Sequence, residues 1–258
     1  MQLSSRFAPV LLALLLAPAA LHAWKPATQQ AIALDAAQLA PPDLARLIAK
    51  HRKEYLRGAV EPLSDGNAFR HMKNSDGSGE LDRVIAAELA AATDLIRRHR
   101  PFAEVVARLG RLSHFVADAN LPLNTANTDP GEGRYFRDFL DYADSARSRF
   151  AVVFYGLGPA WQSPRDVQAW TATTLARGRG LYPAISEEYR RIGGAAGTSA
   201  FDDRSTAFAV AAVSYSHAVS DVARALRHVW LSAGGTDPRE QLAEMRSDLI
   251  LLDAGAGR

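Results

Sequence analysis

LGRLSHFVADANLP, the sequence from Leu109 to Pro122, carries the clearest structural signal in this chain. Its apolar residues recur at helical spacing and a proline closes the pattern, which predicts the second half of a helix that begins at Pro101 and runs to about Asn120. His114 and Asp118 lie four residues apart and would project from one face of this helix. An imidazole and a carboxylate placed in this way are able to bind the same metal ion.

The same spacing occurs again at His217 and Asp221, on a long alanine-rich helix predicted from Asp202 or Asp203 to Ser232. The repetition shows that the spacing also arises when a histidine and a carboxylate form a structural pair that fixes a buried helix. Nothing else in the sequence accompanies this second pair, and it is interpreted as structural. On spacing alone, the structural interpretation stays open for the first pair as well.

The rest of the chain follows the same helical pattern. No alternation of apolar and polar residues persists, so no sheet is predicted, and the polar stretch from Gly58 to Gly79 is interpreted as a loop of a length that is usually functional. The prediction is an all-α, single-domain bundle of about seven to eight helices. The other predicted helices are Pro26–Ala37, one from Pro41, Glu80–His99, about Arg134–Phe150, one from Ser163 to near Gly193, and a last one from Asp237.

The first 23 residues have the three parts of a signal peptide, namely an arginine, an apolar run and a small residue, Ala23, at the cut. The apolar run is too short and too interrupted by proline for a comfortable membrane span. The mature chain would therefore run from Trp24 to Arg258, a length that one compact domain can fill. We expect a secreted or periplasmic protein with no integral membrane span after processing.

The composition narrows the function further. The chain has no cysteine, which rules out a thiolate metal site. Its 30 Lys and Arg residues nearly balance its 28 Asp and Glu residues, and the basic residues are scattered rather than clustered. The sequence therefore carries no specific nucleic-acid signature, because that would require basic residues on one face.

Four segments, in order, resemble the zinc-dependent phospholipase C superfamily, which includes the single-strand-specific fungal nucleases. The resemblance covers most of the mature chain and is specific in the block from Leu109 to Pro122. It implies an all-α secreted enzyme with a cluster of three zinc ions. The four segments are Trp24–Pro26, Leu56–Pro62 with Phe69–His71, Leu109–Pro122, and Tyr135–Asp141.

The resemblance also implies a set of metal ligands. Trp24 would bind through its own amine and carbonyl once the leader is removed, and an α-amine has a pKa of about 8, low enough to lose a proton to a metal. His71, His114 and Asp118 would be the other ligands, with Asp118 bridging two ions. The remaining expected ligands are replaced in this chain, by Gln29, Leu63, Asn124, Gly133 and Arg137.

These replacements predict a reduced metal site. His71, His114 and Asp118 would hold one Zn²⁺, and a second, weaker site would remain between Trp24 and Asp118. Three protein ligands with an open position are typical of catalytic zinc. Asp65, two residues beyond Leu63, is a candidate substitute ligand or general base.

The predicted activity is hydrolysis of a phosphoric ester by a metal-activated water, with the choice between a phospholipid and a nucleotide-type substrate left open. Arg70, Arg134 or Arg137 could supply part of the positive charge that the missing ions would have provided, or could be solvated residues of a helix face. The alternative is a catalytically inactive member of the same fold that binds a ligand or partner. A third hypothesis is a periplasmic structural protein that shares only the helical patterning.

Overall fold

The computed structural model describes residues 23–194 and 197–239. Within these ranges the chain forms nine α-helices and no β-strand, and eight of the nine helices have nine residues or more. The all-α prediction is confirmed. The helices are α1 (Pro26–Gln38), α2 (Pro42–Lys50), α3 (Arg52–Val60), α4 (Leu81–Arg97), α5 (Phe102–Asp118), α6 (Glu132–Ala146), α7 (Pro164–Arg191), α8 (Gly197–Ala200) and α9 (Thr206–Ser232).

Two predicted elements lie outside the described residues. The signal peptide at positions 1–23 does so except for Ala23, and so does the predicted last helix beyond Arg239. None of the helices within the described ranges combines the length and the apolar character needed to cross a bilayer.

The helix starts follow from local chemistry. Ser163 accepts a hydrogen bond from the backbone of Asp166, and the Asp166 side chain accepts one in return from the backbone of Ser163. This reciprocal capping begins α7 at Pro164, as the sequence predicts. Ser205 caps α9 through its side-chain oxygen, which accepts a hydrogen bond from the backbone N–H of Phe208.

The segment between α3 and α4 differs from the predicted plain loop. Two short 3₁₀ turns, Glu61–Ser64 and Ala68–His71, give it a defined path. Asn67 caps the second turn by accepting a hydrogen bond from the backbone of Phe69. This cap fixes the orientation of the turn that ends in His71.

The central helix is α5, which packs against α1, α3, α4 and α9. All seven residues from Leu112 to Asp118 are buried. A helix buried on every side belongs at the centre of a bundle, and its polar residues must then be satisfied by the helices around it.

The closest of these contacts is between α3 and α5, and it depends on two glycines. A Cβ atom added at Gly58 would overlap the backbone of Ala107, and one added at Gly110 would overlap the carbonyl oxygen of Tyr55. The two backbones therefore touch directly, which places the carbonyl group of Ala59 beside the imidazole of His114.

Candidate metal centre

His114 is fixed by the helix that packs against it. Its Nδ1 atom lies 2.8 Å from the carbonyl oxygen of Ala59 on α3. A carbonyl oxygen can only accept, so Nδ1 carries the proton and donates. In the neutral imidazole the lone pair is then on Nε2, which faces His71 and Asp118. A histidine held in this way presents one nitrogen to a metal and is anchored by the other.

His71 reaches the same place from the 3₁₀ turn that precedes α4. Its Nδ1 atom lies 2.7 Å from Asp118 Oδ2 and 3.2 Å from His114 Nε2. Its other nitrogen, Nε2, lies 3.3 Å from Asp65 Oδ1. The ring packs against Phe115, with the two ring centroids 5.3 Å apart.

These three side chains converge on one point. The triangle of His71 Nδ1, His114 Nε2 and Asp118 Oδ2 has edges of 2.7, 3.1 and 3.2 Å. Zinc binds nitrogen and oxygen ligands at about 2.0–2.1 Å, so tetrahedral coordination separates neighbouring donors by about 3.3 Å. To reach that spacing, the edge between His71 and Asp118 must lengthen by about 0.6 Å and the other two edges by about 0.1–0.2 Å, and the donor types suit zinc. This group of three could hold a metal ion.

The centre is deeply buried. His71 is 5% exposed, and His114 and Asp118 are fully buried. Burial alone would lower the pKa of His71, but the hydrogen bond and charge of Asp118, together with Asp65, outweigh burial and raise that pKa. Burial would likewise raise the pKa of Asp118, but the two histidines outweigh it and lower that pKa. Both pKa shifts favour an ionised Asp118 carboxylate beside a positively charged His71 imidazole.

Asp65 lies next to this centre but on the outer side of His71. Its Oδ1 faces His71 Nε2, and its Oδ2 accepts a hydrogen bond of 2.9 Å from Arg70. The guanidinium carbon of Arg70 lies 5.2 Å from the centroid of the Phe115 ring. Asp65 is therefore placed to orient the His71 ring through Nε2. Its predicted role as a substitute ligand or general base stays a prediction.

Trp24 lies against the last turn of α5. Its indole nitrogen donates a hydrogen bond of 3.0 Å to the carbonyl oxygen of Ala117, and the residue is buried. This contact brings the start of the predicted mature chain to the residue that precedes Asp118. Its role as a ligand through the α-amine stays a prediction.

The replaced positions differ in where they lie. Asn124 is buried and donates to the backbone carbonyl of Asp118 at 3.4 Å, and Leu63 is half-buried. Gly133 and Arg137 are exposed on α6. Gln29 contacts Asp118 directly, through a bond of 2.8 Å from Nε2 to Oδ1. The sequence alone did not predict the contact between Gln29 and Asp118 or the one between Ala59 and His114. Gly58 and Gly110 do indicate that α3 and α5 are close.

The beginning of α6 holds a second polar group. Asp129 accepts hydrogen bonds from Tyr135 and Ser186, and Glu132 accepts one from Tyr182. Burial raises the pKa of Glu132 to about 7, the hydrogen bond from Tyr182 opposes this rise, and the charge of Asp129 adds to it. This arrangement makes Glu132 a group that titrates near neutral pH.

The second His–Asp pair of the sequence does not form a pair in space. The His217 ring stacks on Tyr155, with centroids 4.0 Å apart. Asp221 is buried and bound by the guanidinium groups of Arg177 and Arg224. Asp221 thus joins α7 and α9 through ion pairs. Among the described residues, His71, His114 and Asp118 are the group that could hold a metal ion.

Neither a model of a protein family nor a curated protein matches this sequence. Among solved structures, the chain is similar to the alpha-toxin of Clostridium perfringens isolated from avian strain SWCP, with a TM-score of 0.59 and 15% sequence identity. The two chains share a fold. The match covers 82% of this chain and 64% of the toxin chain, so the toxin has a substantial part with no counterpart in the match.

Proposed function

We propose that the chain is a secreted or periplasmic, phospholipase C-like hydrolase that cleaves phosphoric diesters at a single zinc ion. The observation that carries this proposal is the convergence of His71, His114 and Asp118, which come from two separate segments. The fold shared with the alpha-toxin and the sequence block around His114 support it.

The residues of the centre have separable roles. His71, His114 and Asp118 would hold the ion, while the carbonyl of Ala59 and the carboxylate of Asp65 keep the two imidazoles in the required orientation. When bound, zinc supplies Lewis-acid chemistry and lowers the pKa of a coordinated water. Trp24 would become an accessory ligand once cleavage after Ala23 exposes its amine.

A phosphodiester brings negative charge that a single ion neutralises only in part. Arg70 is the arginine best placed to contribute, because it contacts Asp65 and packs over Phe115, whose ring also touches His71. Its side chain is 28% exposed, and the ion pair uses only one arm of the guanidinium. The planar fork of an arginine suits the oxygens of a phosphate. Arg70 would therefore bind the phosphate from the solvent side.

The second candidate function is non-catalytic binding on the same scaffold. The burial of His71, His114 and Asp118 favours it. The Asp65–Arg70 ion pair lies on the outer side of His71 and so restricts the access of a substrate to these residues. In that case zinc would be either structural or absent, and the ligand would bind elsewhere.

The test uses the protein that starts at Trp24, with His114→Ala and Asp118→Ala as variants. Zinc content is measured after gel filtration, and hydrolysis is measured on bis(p-nitrophenyl) phosphate, phosphatidylcholine vesicles and single-stranded DNA. The proposal expects bound zinc and zinc-dependent hydrolysis, both lost in the two variants. An equal zinc content in the wild type and both variants would refute the proposed metal centre. Bound zinc without hydrolysis of any substrate would favour the non-catalytic alternative.

A further inference from the structure

The two oxygens of Asp118 have different partners. Oδ2 faces the two histidines, whereas Oδ1 accepts a hydrogen bond of 2.8 Å from Nε2 of Gln29. Gln29 lies in the first turn of α1 and is 1% exposed. An amide nitrogen has no lone pair to offer to a cation, and its hydrogen bond takes one of the lone-pair directions of Oδ1, so this contact competes with metal binding at that oxygen.

The stability of the fold does not explain a glutamine at this position. Its carbonyl oxygen Oε1 is buried and accepts a hydrogen bond from none of the described residues. A buried acceptor without a donor destabilises the folded state, and an apolar side chain of similar size would avoid that cost. The bond to Asp118 is therefore the reason that the structure offers for this residue.

The first turn of α1 is fixed on both sides of Gln29. The Trp24 indole binds the carbonyl of Ala117, and the Thr28 hydroxyl donates to Asp144 Oδ1 at 2.6 Å. With its neighbours held in this way, Gln29 has little freedom to move away and expose Oδ1.

We propose that Gln29 is a positioning residue that limits the centre to one ion, because it occupies the second oxygen of Asp118 and directs the first towards the histidines. This inference rests on the proposed metal centre. It differs from one implication of the family resemblance, because the Gln29 N–H group and a second cation bridged by Asp118 would compete for Oδ1.

Two substitutions at position 29 separate this role from a structural one. Gln29→Met keeps the volume but removes the N–H donor, and we expect zinc to bind about 10- to 100-fold more weakly, as for other groups that orient a ligand. The thermal stability of the zinc-free protein should change little. Loss of the hydrogen bond to Asp118 lowers the stability, whereas removal of the buried, unpartnered Oε1 of Gln29 raises it. Gln29→Glu replaces the donor by a second carboxylate, and we expect two ions instead of one.

Thr28→Val is the matched control, because Thr28 is buried in the same turn and binds a carboxylate away from the centre. It should leave zinc affinity unchanged. Zinc is counted by elemental analysis after gel filtration, its affinity is measured by competition with a chromophoric chelator, and the Co²⁺-loaded protein gives the coordination number from its visible spectrum.

Two ions in the wild-type protein, or one ion in Gln29→Glu, would overturn the inference while leaving the metal centre intact. Unchanged zinc affinity in Gln29→Met would overturn it as well. Should Gln29→Met fail to fold, the ion count in Gln29→Glu decides. A wild-type protein that binds no zinc would instead refute the proposed function itself.

Discussion

Gly110→Ala tests whether the contact between α3 and α5 holds His114, a proposed metal ligand, in place. The new Cβ would overlap the Tyr55 carbonyl oxygen and lie 2.8 Å from the backbone nitrogen of Ala59, whereas ordinary contact begins at 3.4 Å. Relieving the overlap with the Ala59 nitrogen alone requires the helices to separate by about 0.6 Å, and relieving the overlap with the Tyr55 oxygen requires a larger separation. The 2.8 Å bond from His114 to the Ala59 carbonyl would then stretch to the limit of a hydrogen bond or break.

The expected cost combines three effects. Overpacking costs about 1–3 kcal/mol, and the weakened bond to a buried imidazole costs about 1–3 kcal/mol. The higher helix propensity of alanine stabilises the folded state by about 1 kcal/mol. The net expectation is a loss of about 3 kcal/mol in the free energy of unfolding of the zinc-free protein, together with zinc affinity that is about 10-fold or more lower.

Urea denaturation and chelator competition measure the two quantities. The control is Gly180→Ala in α7, where an added Cβ meets no atom within 4 Å. That variant should be more stable than the wild type by about 0.5–1 kcal/mol, with unchanged zinc affinity. If Gly110→Ala matched the wild type in both quantities, the account of how α3 positions His114 would be wrong.

Two further predictions concern carboxylates. Asp65→Asn should lower zinc affinity by about 10-fold without changing the number of ions, because it weakens the orientation of His71 but removes no proposed ligand; unchanged affinity in the chelator assay would contradict this. Glu132→Gln should gain stability relative to the wild type as pH rises from 5 to 8. The folded-state pKa of Glu132 is raised to about 7, so ionisation of the wild-type side chain destabilises the fold over this range. Urea denaturation at several pH values measures the difference, and a difference that does not change with pH would contradict it.

The all-α fold was predictable because its signals are local. Ser163 followed by Pro164 predicts the start of α7, and the structure shows the reciprocal cap there. The break between α2 and α3 at His51 was not predicted. The apolar periodicity runs through this position, so the two helices read as one in sequence.

The candidate centre was predictable only in part. Helical geometry places His114 and Asp118 on one face, but the spacing does not distinguish a metal site from an ion pair, as Asp221 demonstrates by binding two arginines. His71 is 43 positions from His114, and its inclusion came from the family resemblance. The supporting contacts of Ala59 and Gln29 depend on how the helices pack. Gly58 and Gly110 indicate that α3 and α5 are close, but the sequence does not assign Ala59 to His114 or Gln29 to Asp118.

The central claim is that one zinc ion binds between two imidazoles and one carboxylate. Anomalous diffraction at the zinc absorption edge, from crystals of the chain that begins at Trp24, tests it most directly. The account predicts one strong peak within bonding distance of His71 Nδ1, His114 Nε2 and Asp118 Oδ2. A zinc-soaked crystal in which these three atoms remain in contact only with one another, with no peak between them, would contradict it.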